Sequence, residues 1–424
     1  MGTCCSKENQ LGEKGSILEE SGVEDREYEI NDEDDQVTIV DYGARMRMQG
    51  SSKFISMYTQ QGKKGTNQDA MTVWEEFIGQ KDMFFCGVFD GHGPYGHRVS
   101  RLVRETLPWR LSSAIKMFQV NSIRYNDRNP GEDDHTLPLS SWEATFIKCF
   151  KEMDEELSVD ASIDSFSSGS TAVTLVKQGN QLIIANLGDS RAVLCTRGRN
   201  NQLIPVQLTI DLKPNVASEA QRIKSCNGRI FALAEEPDIY RIWLPDEDCP
   251  GLAMARAFGD FCLKDYGLIS HPEVSYRRLT NNDEFVVLAT DGIWDVLSNH
   301  DVIRIVASTR KRSMAAKILV KYAVRAWKNK YPSSRIDDIA VICLFFKNRS
   351  LLTRSFSEVS RVSANQTEMA ETYSEVSRAS LHRSEIATFP HQRSIPKCHN
   401  DPQGVITMRP RLRNSTSYQH VVQA

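Results

Sequence analysis

The chain has 424 residues, of which 40% are hydrophobic and 8% aromatic, so it can form a large buried core. Its formal net charge of −3 excludes the overall basic character of a typical nucleic-acid-binding protein. The ten cysteines form no CxxC pair, which argues against a structural zinc site. No segment approaches eighteen consecutive apolar residues, so the sequence predicts no membrane-spanning helix.

The N-terminal segment, residues 1–50, contains thirteen acidic and five basic residues and is predicted to be a disordered acidic arm. It begins Met-Gly-Thr-Cys-Cys-Ser, a pattern typical of N-myristoylation at Gly2. Cys4 and Cys5 are candidates for palmitoylation, and two acyl chains anchor a protein stably where one does not. We therefore expect a peripheral membrane protein on the cytoplasmic side, at the plasma membrane, with a cytosolic protein as the alternative.

Residues 51–347 are predicted to form the folded domain, because strand-like and helix-like segments alternate there. "TAVTLVK" (171–177) and "QLIIANLG" (181–188) flank Gly-Asn and indicate a tight hairpin. "RAVLCTR" (191–197) is predicted to be a third neighbouring strand. Adjacent hairpin strands favour antiparallel sheets over a doubly wound fold.

Two helices are predicted from apolar residues that recur at helical spacing. The first covers 141–158 and the second covers 312–328. Because these helices are separated from the hairpins along the chain, the fold class predicted is α+β. Two antiparallel sheets packed face to face, with helices on both outer faces, would satisfy this pattern.

Carboxylates recur where apolar strands begin or end. The buried strand 83–89 is followed by Asp90-Gly91-His92-Gly93, and similar acids stand beside other strands at Asp69, Asp189, Asp291 and Asp337-Asp338. One such residue is ordinary in a turn. Several at one edge would repel one another, and Mg²⁺ or Mn²⁺, which prefer oxygen ligands, would neutralise them.

Six motifs, in this order, resemble the type 2C metal-dependent serine/threonine protein phosphatases, and the start of the chain is most similar to plant members. The resemblance covers about residues 54–347. It implies a four-layer α-β-β-α sandwich with a binuclear metal site at one edge. The motifs are "VFDGHG", "GDSRAVL", "GLAMARAFGD", "GLISHPEV", "ATDGIWDVLS" and "DDIAVICL".

The resemblance also implies the metal ligands. Asp90 would bridge two Mg²⁺ or Mn²⁺ ions, the carbonyl of Gly91 would bind one, and Asp291 and Asp337 would bind the other. Asp338 is the alternative to Asp337. A weaker third ion would bind at Asp189, with Asp295 near it.

His92 would be the general acid that protonates the leaving serine or threonine oxygen, since an imidazole near neutral pKa suits that task. Two cations would polarise the phosphoryl oxygens and activate a water, so no enzyme nucleophile is needed. Lys64 stands where the family usually has a phosphate-binding arginine, Gln68 where it has an acid, and Leu212 where it has a histidine. These departures could weaken metal and substrate binding.

The C-terminal segment, residues 348–424, is rich in serine and arginine and is predicted to be a disordered regulatory tail. Kinase or regulator contacts are conceivable through this tail and through a flap that contains Trp243, although packing of Trp243 within its own domain is favoured. A monomer is expected.

Hydrolysis of phosphoserine and phosphothreonine in signalling proteins is the predicted activity, with phosphoproteins as the partners. Two alternatives stay open at this point. One is a catalytically weak, phosphatase-like scaffold at a membrane, which the residues at 64, 68 and 212 motivate. The other is a hydrolase of small phosphate esters.

Overall fold

A computed structural model describes residues 37–126, 138–346 and 387–388. Its helices are α1 (Gly96–Asn126), α2 (Leu139–Val159), α3 (Ala217–Ser225), α4 (Phe261–Lys264), α5 (Asp291–Trp294), α6 (Asn299–Ser308) and α7 (Ala315–Lys330), with 3₁₀ turns at Asp41–Gly43, Phe77–Gly79 and Arg312–Met314. The strands are β1 (Val37–Val40), β2 (Ala44–Arg47), β3 (Gly50–Ser51), β4 (Ile55–Gln60), β5 (Ala70–Glu75), β6 (Met83–Phe89), β7 (Gly91–His92), β8 (Gly169–Ser170), β9 (Ala172–Gln178), β10 (Gln181–Leu187), β11 (Arg191–Arg197), β12 (Leu203–Gln207), β13 (Arg229–Ala232), β14 (Tyr240–Trp243), β15 (Pro250–Leu252), β16 (Phe258–Gly259), β17 (Glu273–Arg278), β18 (Asp283–Ala289), β19 (Ile339–Phe345) and β20 (Ala387–Thr388).

Two antiparallel sheets form the centre of the fold. The larger has the order β1-β2-β5-β6-β9-β10-β17-β20, and the smaller has the order β12-β11-β18-β19-β4-β3. The predicted α+β class with two antiparallel sheets is confirmed. Two further three-stranded sheets, β13-β14-β15 and β16-β8-β7, lie outside this sandwich.

Strand β6 is apolar throughout its length because both of its faces are buried. Met83, Phe85 and Phe89 belong to the core formed with α1 and α2, whereas Cys86 and Val88 belong to the core between the two sheets. Since both faces of the strand are buried, every side chain in it must be apolar or small. Cys86 is one of these packing residues.

Three apolar cores separate four layers. The first joins α1 and α2 to the larger sheet, the second lies between the sheets, and the third joins α6 and α7 to the smaller sheet. Helix α2 covers the predicted span and buries the predicted apolar residues Trp142, Phe146, Cys149, Phe150, Met153 and Leu157. The order of layers is therefore α-β-β-α, which fixes the two sheets face to face.

Two predictions about the strands need correction. β9 and β10 form the predicted hairpin, but β11 is not their neighbour: it pairs with β12 and β18 in the other sheet. The turn 188–190 carries the chain from one sheet to the other.

The predicted start of the folded domain at residue 51 is too late, because β1 and β2 already extend the larger sheet: β1 pairs with β2, and β2 pairs with β5.

The sheet β13-β14-β15 contains Trp243, which packs within its own segment. Its indole stacks on Phe231 with centroids 4.8 Å apart, and its Nε1 donates to the Phe231 carbonyl at 3.0 Å. Trp243 is only 5% exposed, so the favoured expectation for it is confirmed. Within the described ranges, no helix is both long and apolar enough to cross a bilayer. Gly2, Cys4, Cys5 and the tail, apart from Ala387–Thr388, lie outside these ranges.

Candidate active site

Two carboxylates meet at one edge of the larger sheet. β5 and β6 are antiparallel, with Ala70 opposite Phe89. Asp69 directly precedes the first of these residues and Asp90 directly follows the second, so the pairing places both acids at the same end of the sheet. Asp69 is buried, and its Oδ2 accepts a hydrogen bond of 2.7 Å from the hydroxyl of Thr290 in the other sheet's edge.

The smaller sheet brings two more acids to this edge in the same way. β18 and β19 are antiparallel with Ala289 opposite Val341, so Asp291, which begins α5 after β18, lies near Asp337, which precedes β19. Asp189 joins them because its turn connects β10 with β11, whose first residue pairs with Ala289. The five strand-end positions predicted from sequence therefore converge.

The convergence is visible in the electrostatics of the acids. Burial, reinforced by the neighbouring carboxylates, raises the pKa of Asp69, Asp90 and Asp291 well above the ordinary value. Burial also raises the pKa of Asp189 and Asp295, against the opposing charge of Lys213. A cation would relieve both causes, because it replaces lost hydration and offsets the repulsion.

Two lysines supply part of the compensating charge. Lys64 Nζ lies 2.5 Å from Asp337 Oδ2, and Lys213 Nζ lies 3.7 Å from Asp189 Oδ2. Burial lowers the pKa of each lysine, but the surrounding carboxylates outweigh it and the net pKa is raised. Both ammonium groups therefore stay charged, and the loop with Lys64 faces the site.

Asp337 and Asp338 differ in what their carboxylates contact. Both oxygens of Asp338 accept backbone N–H groups, from Gly62 at 2.7 Å and from Gln68 at 2.9 Å. Its carboxylate therefore closes the loop 62–68. The charge of Asp337 contributes to the raised pKa of Asp69, Asp90 and Asp291, whereas the charge of Asp338 contributes to that of Asp69. The geometry places Asp337 in the acidic cluster and Asp338 in the loop that supports it.

The donor set fits a hard divalent cation. It consists of carboxylate oxygens, and Asp189 Oδ1 is buried with no hydrogen-bond partner among the described residues. The side chains are not closed into a finished cage: in the described ranges, no three His, Cys, Asp or Glu side chains are already arranged to hold a metal. Closure of the cage therefore requires the side chains to turn toward an ion.

Gly91 and Gln68 shape the entrance to the cluster. A Cβ on Gly91 would lie 2.4 Å from the Gly96 carbonyl oxygen and 2.6 Å from that of Gln68, so only glycine fits. The amide of Gln68 donates to the Gly93 carbonyl at 2.9 Å. Gln68 thus links neighbouring loops, which an acid at this position could not do by donation.

Leu212 supports the site through its backbone and not through its side chain. It is buried, and its backbone N–H donates to the Gly188 carbonyl at 2.9 Å, which supports the turn that carries Asp189. The next residue is Lys213, which faces Asp189. The segment therefore positions a cation beside Asp189 without using the side chain at 212.

His92 has a partner that the sequence did not reveal. Its Nε2 lies 2.6 Å from Oδ2 of Asp260, whose side chain is almost completely buried. Burial lowers the pKa of His92, but the Asp260 carboxylate, with smaller contributions from Asp189 and the Asp90 backbone, outweighs it, so the net pKa lies above the ordinary value. Asp260 ends the motif "RAFGD", where a carboxylate again follows a short strand and a glycine. That repeat of the strand-end pattern could have identified it.

A small sheet holds this pair together. Gly169 of β8 lies opposite His92 of β7 and opposite Gly259 of β16, so β8 carries the histidine on one side and Asp260 follows the strand on the other. A Cβ on Gly169 would lie 2.1 Å from Asp260 Oδ2 and 2.7 Å from His92 Nε2. Glycine at 169 is therefore required for the contact.

Comparison with known proteins shows the family of the chain. Residues 54–329 match the family described as Protein phosphatase 2C. The chain belongs to the protein phosphatase 2C family. Like its family, it is a protein-serine/threonine phosphatase with an α+β fold.

This chain is similar in sequence to plant members of the phosphatase 2C family. "Probable protein phosphatase 2C 65" of Arabidopsis thaliana is 52% identical over 349 residues, which are 82% of this chain and 89% of that protein. "Probable protein phosphatase 2C 14" of Oryza sativa subsp. japonica is 52% identical over 342 residues, 77% and 66% of the two chains. The crystal structure of a serine-threonine phosphatase 2C from Toxoplasma gondii has a TM-score of 0.63 and 26% identity, covering 72% of this chain and 99% of that one.

Replacing Asp260 tests the electrostatic coupling in this phosphatase. We expect Asp260→Asn to lower the pKa of His92, because the carboxylate is the largest of the effects that raise it. Histidine C–H resonances of the metal-free protein, followed by NMR from about pH 5 to 9 around the free value of ~6.5, measure this pKa. In the native protein, protonated His92 contributes stability below its ordinary pKa, and that contribution is lost as the pH rises through the higher folded value. An unchanged His92 titration would contradict the pairing, and Asp164→Asn, at an exposed acid, is the control.

Proposed function

We propose that this phosphatase hydrolyses phosphoserine and phosphothreonine in proteins with bound Mg²⁺ or Mn²⁺. One observation carries the proposal: carboxylates from both sheets are partly or fully buried at one edge, beside a histidine whose pKa is raised by a buried acid. An arrangement that repels itself in the absence of cations is suited to binding them.

Asp90, the Gly91 carbonyl, Asp291 and Asp337 would hold two ions, and Asp189 with Asp295 would hold a weaker third. Bound divalent ions supply Lewis-acid polarisation of the phosphoryl group and lower the pKa of a bound water. The protein fixes the backbone of these residues at the ends of buried strands, so only their side chains must turn to bind an ion. Lys64 contributes a point charge for the phosphate, without the fork that arginine would offer.

His92 would donate its proton to the oxygen of the leaving serine or threonine. Asp260 orients the imidazole through Nε2 and favours its charged form, so the proton is available near neutral pH. A cysteine nucleophile is not supported for Cys86, since complete burial raises the pKa of its thiol far above neutrality.

Metal dependence and Asp90→Asn test the proposal together. We expect full-length protein to hydrolyse a phosphoserine peptide only with added Mg²⁺ or Mn²⁺, and Asp90→Asn to lose about a thousandfold or more in kcat, the equivalent of several kcal/mol. Asp164→Asn is the control for a surface carboxylate. Full activity in excess chelator would refute metal dependence. Native metal binding without turnover would favour the scaffold, and a higher kcat/KM for a sugar phosphate would favour the small-ester hydrolase.

The general-acid role is tested by the leaving group. His92→Ala should lose about 10²- to 10⁴-fold in kcat with phosphoserine, whose alkoxide needs a proton, and far less with an activated aryl phosphate. Steady-state kinetics with both substrates measure the difference. An equal loss with both would show that His92 acts in some other way, such as positioning the metal ligands.

The anchor at the N-terminus is a separate proposal, which the motif at Gly2, Cys4 and Cys5 supports. Gly2→Ala should release the protein to the cytosol, and Cys4→Ser with Cys5→Ser should leave only weak, reversible membrane binding. Fluorescence microscopy of protein tagged at the C-terminus gives the location. A native protein that is entirely cytosolic or nuclear would refute the anchor and leave the enzymatic proposal intact.

A further inference from the structure

A strongly basic surface covers the layer formed by α6 and α7. Residues 302–335 contain ten lysines and arginines and no aspartate or glutamate, although the whole chain has a net charge of −3. Helix α7 contributes five of these basic residues: Lys317, Lys321, Arg325, Lys328 and Lys330. All five are exposed. We call the row Lys317, Lys321, Arg325 and Lys328 the α7 basic face.

The α7 basic face is one continuous stripe. Its residues follow one another at intervals of four, four and three, which places them on the same side of a helix. Among the described residues none of the four has a carboxylate within ion-pair distance, whereas Arg304 on α6 pairs with Asp301 at 2.8 Å. Lys317 instead lies over the ring of Tyr58. The stripe therefore presents uncompensated positive charge.

Helix stability does not account for this stripe. Basic residues in the last turn interact favourably with the helix dipole, which explains Lys328 and Lys330. Lys317 lies in the first turn, where the same dipole disfavours positive charge, and Lys321 lies in the first half of the helix. Four cations along one face also repel one another. An external anion would remove these costs.

The C-terminal end of α7 is fixed to the active site. Trp327 Nε1 donates to the carbonyl of Gly292 at 2.7 Å, one residue after Asp291. Lys330 Nζ donates to the carbonyl of Asp295 at 2.7 Å. The stripe thus begins beside the metal-binding edge and runs away from it for about 16 Å at ~1.5 Å per residue.

We propose that the α7 basic face binds acidic residues that flank the phosphorylated serine or threonine of a protein substrate. This rests on the function proposed above and names its substrate class: phosphoproteins with an acidic segment on one side of the phosphosite. About five residues of extended peptide span the stripe at ~3.3 Å per residue, with the phosphate at the site and carboxylates opposite the cations. The charge of the stripe is complementary to such a segment and raises its local concentration near the site.

An anionic membrane is the other large anion that a basic helix could contact. The contacts of α7 favour the peptide, because they join the C-terminal end of the helix to Gly292 and Asp295, beside the metal-binding edge. A flexible peptide can follow the helix and still place its phosphate at that edge.

The experiment compares two phosphoserine peptides of equal length, one with several flanking Asp and Glu residues and one with Ser and Ala instead. The acidic residues are placed N-terminal to the phosphosite in one pair and C-terminal in a second pair. Full-length native protein is compared with the triple variant Lys317→Gln, Lys321→Gln, Arg325→Gln. The matched control removes three exposed lysines elsewhere, Lys148→Gln, Lys151→Gln and Lys224→Gln.

We expect native protein and the control to prefer one acidic peptide by about tenfold in kcat/KM, as the sum of several exposed ion pairs, and the triple variant to lose this preference. The preference should disappear as the Debye length falls from about 30 Å at ~0.01 M salt to about 3 Å at ~1 M. Hydrolysis of an aryl phosphate should be the same in all three proteins, which separates docking from a structural effect.

Three results would overturn the proposal. Hydrolysis of acidic and neutral peptides at equal rates by native protein would refute acidic docking while leaving the phosphatase function intact. An unchanged peptide preference in the triple variant, together with lost binding to phosphatidylserine vesicles, would assign the face to a membrane. No hydrolysis of any phosphopeptide with metal present would overturn both the docking and the function on which it rests.

Discussion

The arrangement of this protein depends on holding several carboxylates close together at the end of an apolar sandwich. Loss of hydration and repulsion by neighbouring carboxylates both destabilise the charged form of each acid. For this reason the pKa values of Asp69, Asp90 and Asp291 are raised. Rigid strands are needed to oppose this repulsion. Asp69 and Asp90 directly adjoin strands that are buried on both faces, and Asp189, Asp291 and Asp337 each lie within two residues of such a strand. The packing of the four layers therefore holds the carboxylates close together at the end of the sandwich, against their mutual repulsion.

The compensation inside the protein is incomplete, and this incompleteness is suited to reversible ion binding. Lys64 and Lys213 reach Asp337 and Asp189, yet the pKa values of Asp69, Asp90 and Asp291 stay well above the ordinary value. A fully paired cluster would have little to gain from a cation, while an unpaired one would destabilise the fold. The two lysines leave the cluster between these extremes, partly paired, so that an incoming ion competes with their ammonium groups for the carboxylates.

Much of this could be read from the sequence because strand-end acids and apolar runs are local patterns. The hairpin β9-β10, the helix α2 and the acids from Asp69 to Asp337 were all found in this way. The transfer of β11 to the other sheet was missed, since a turn around Asp189 looks the same whether the chain pairs back or crosses over. Asp260 was missed because its partner His92 is far away in sequence, and only the pairing of β7, β8 and β16 brings them together.

The distribution of charge also bears on how an acidic site can accept a phosphate. A dianion approaching bare carboxylates is repelled, and bound cations reverse this only at short range. Beyond that range the field is set by groups on the surface, and here the exposed cations of α7 lie on a helix whose C-terminal end contacts the segment that carries Asp291 and Asp295. The cluster that binds metal and the helix that carries positive charge are joined by the contacts of Trp327 and Lys330. Helix α7 thus supplies the long-range attraction and the acidic cluster supplies the short-range chemistry. The hydrogen bonds of Trp327 and Lys330 keep the two aligned.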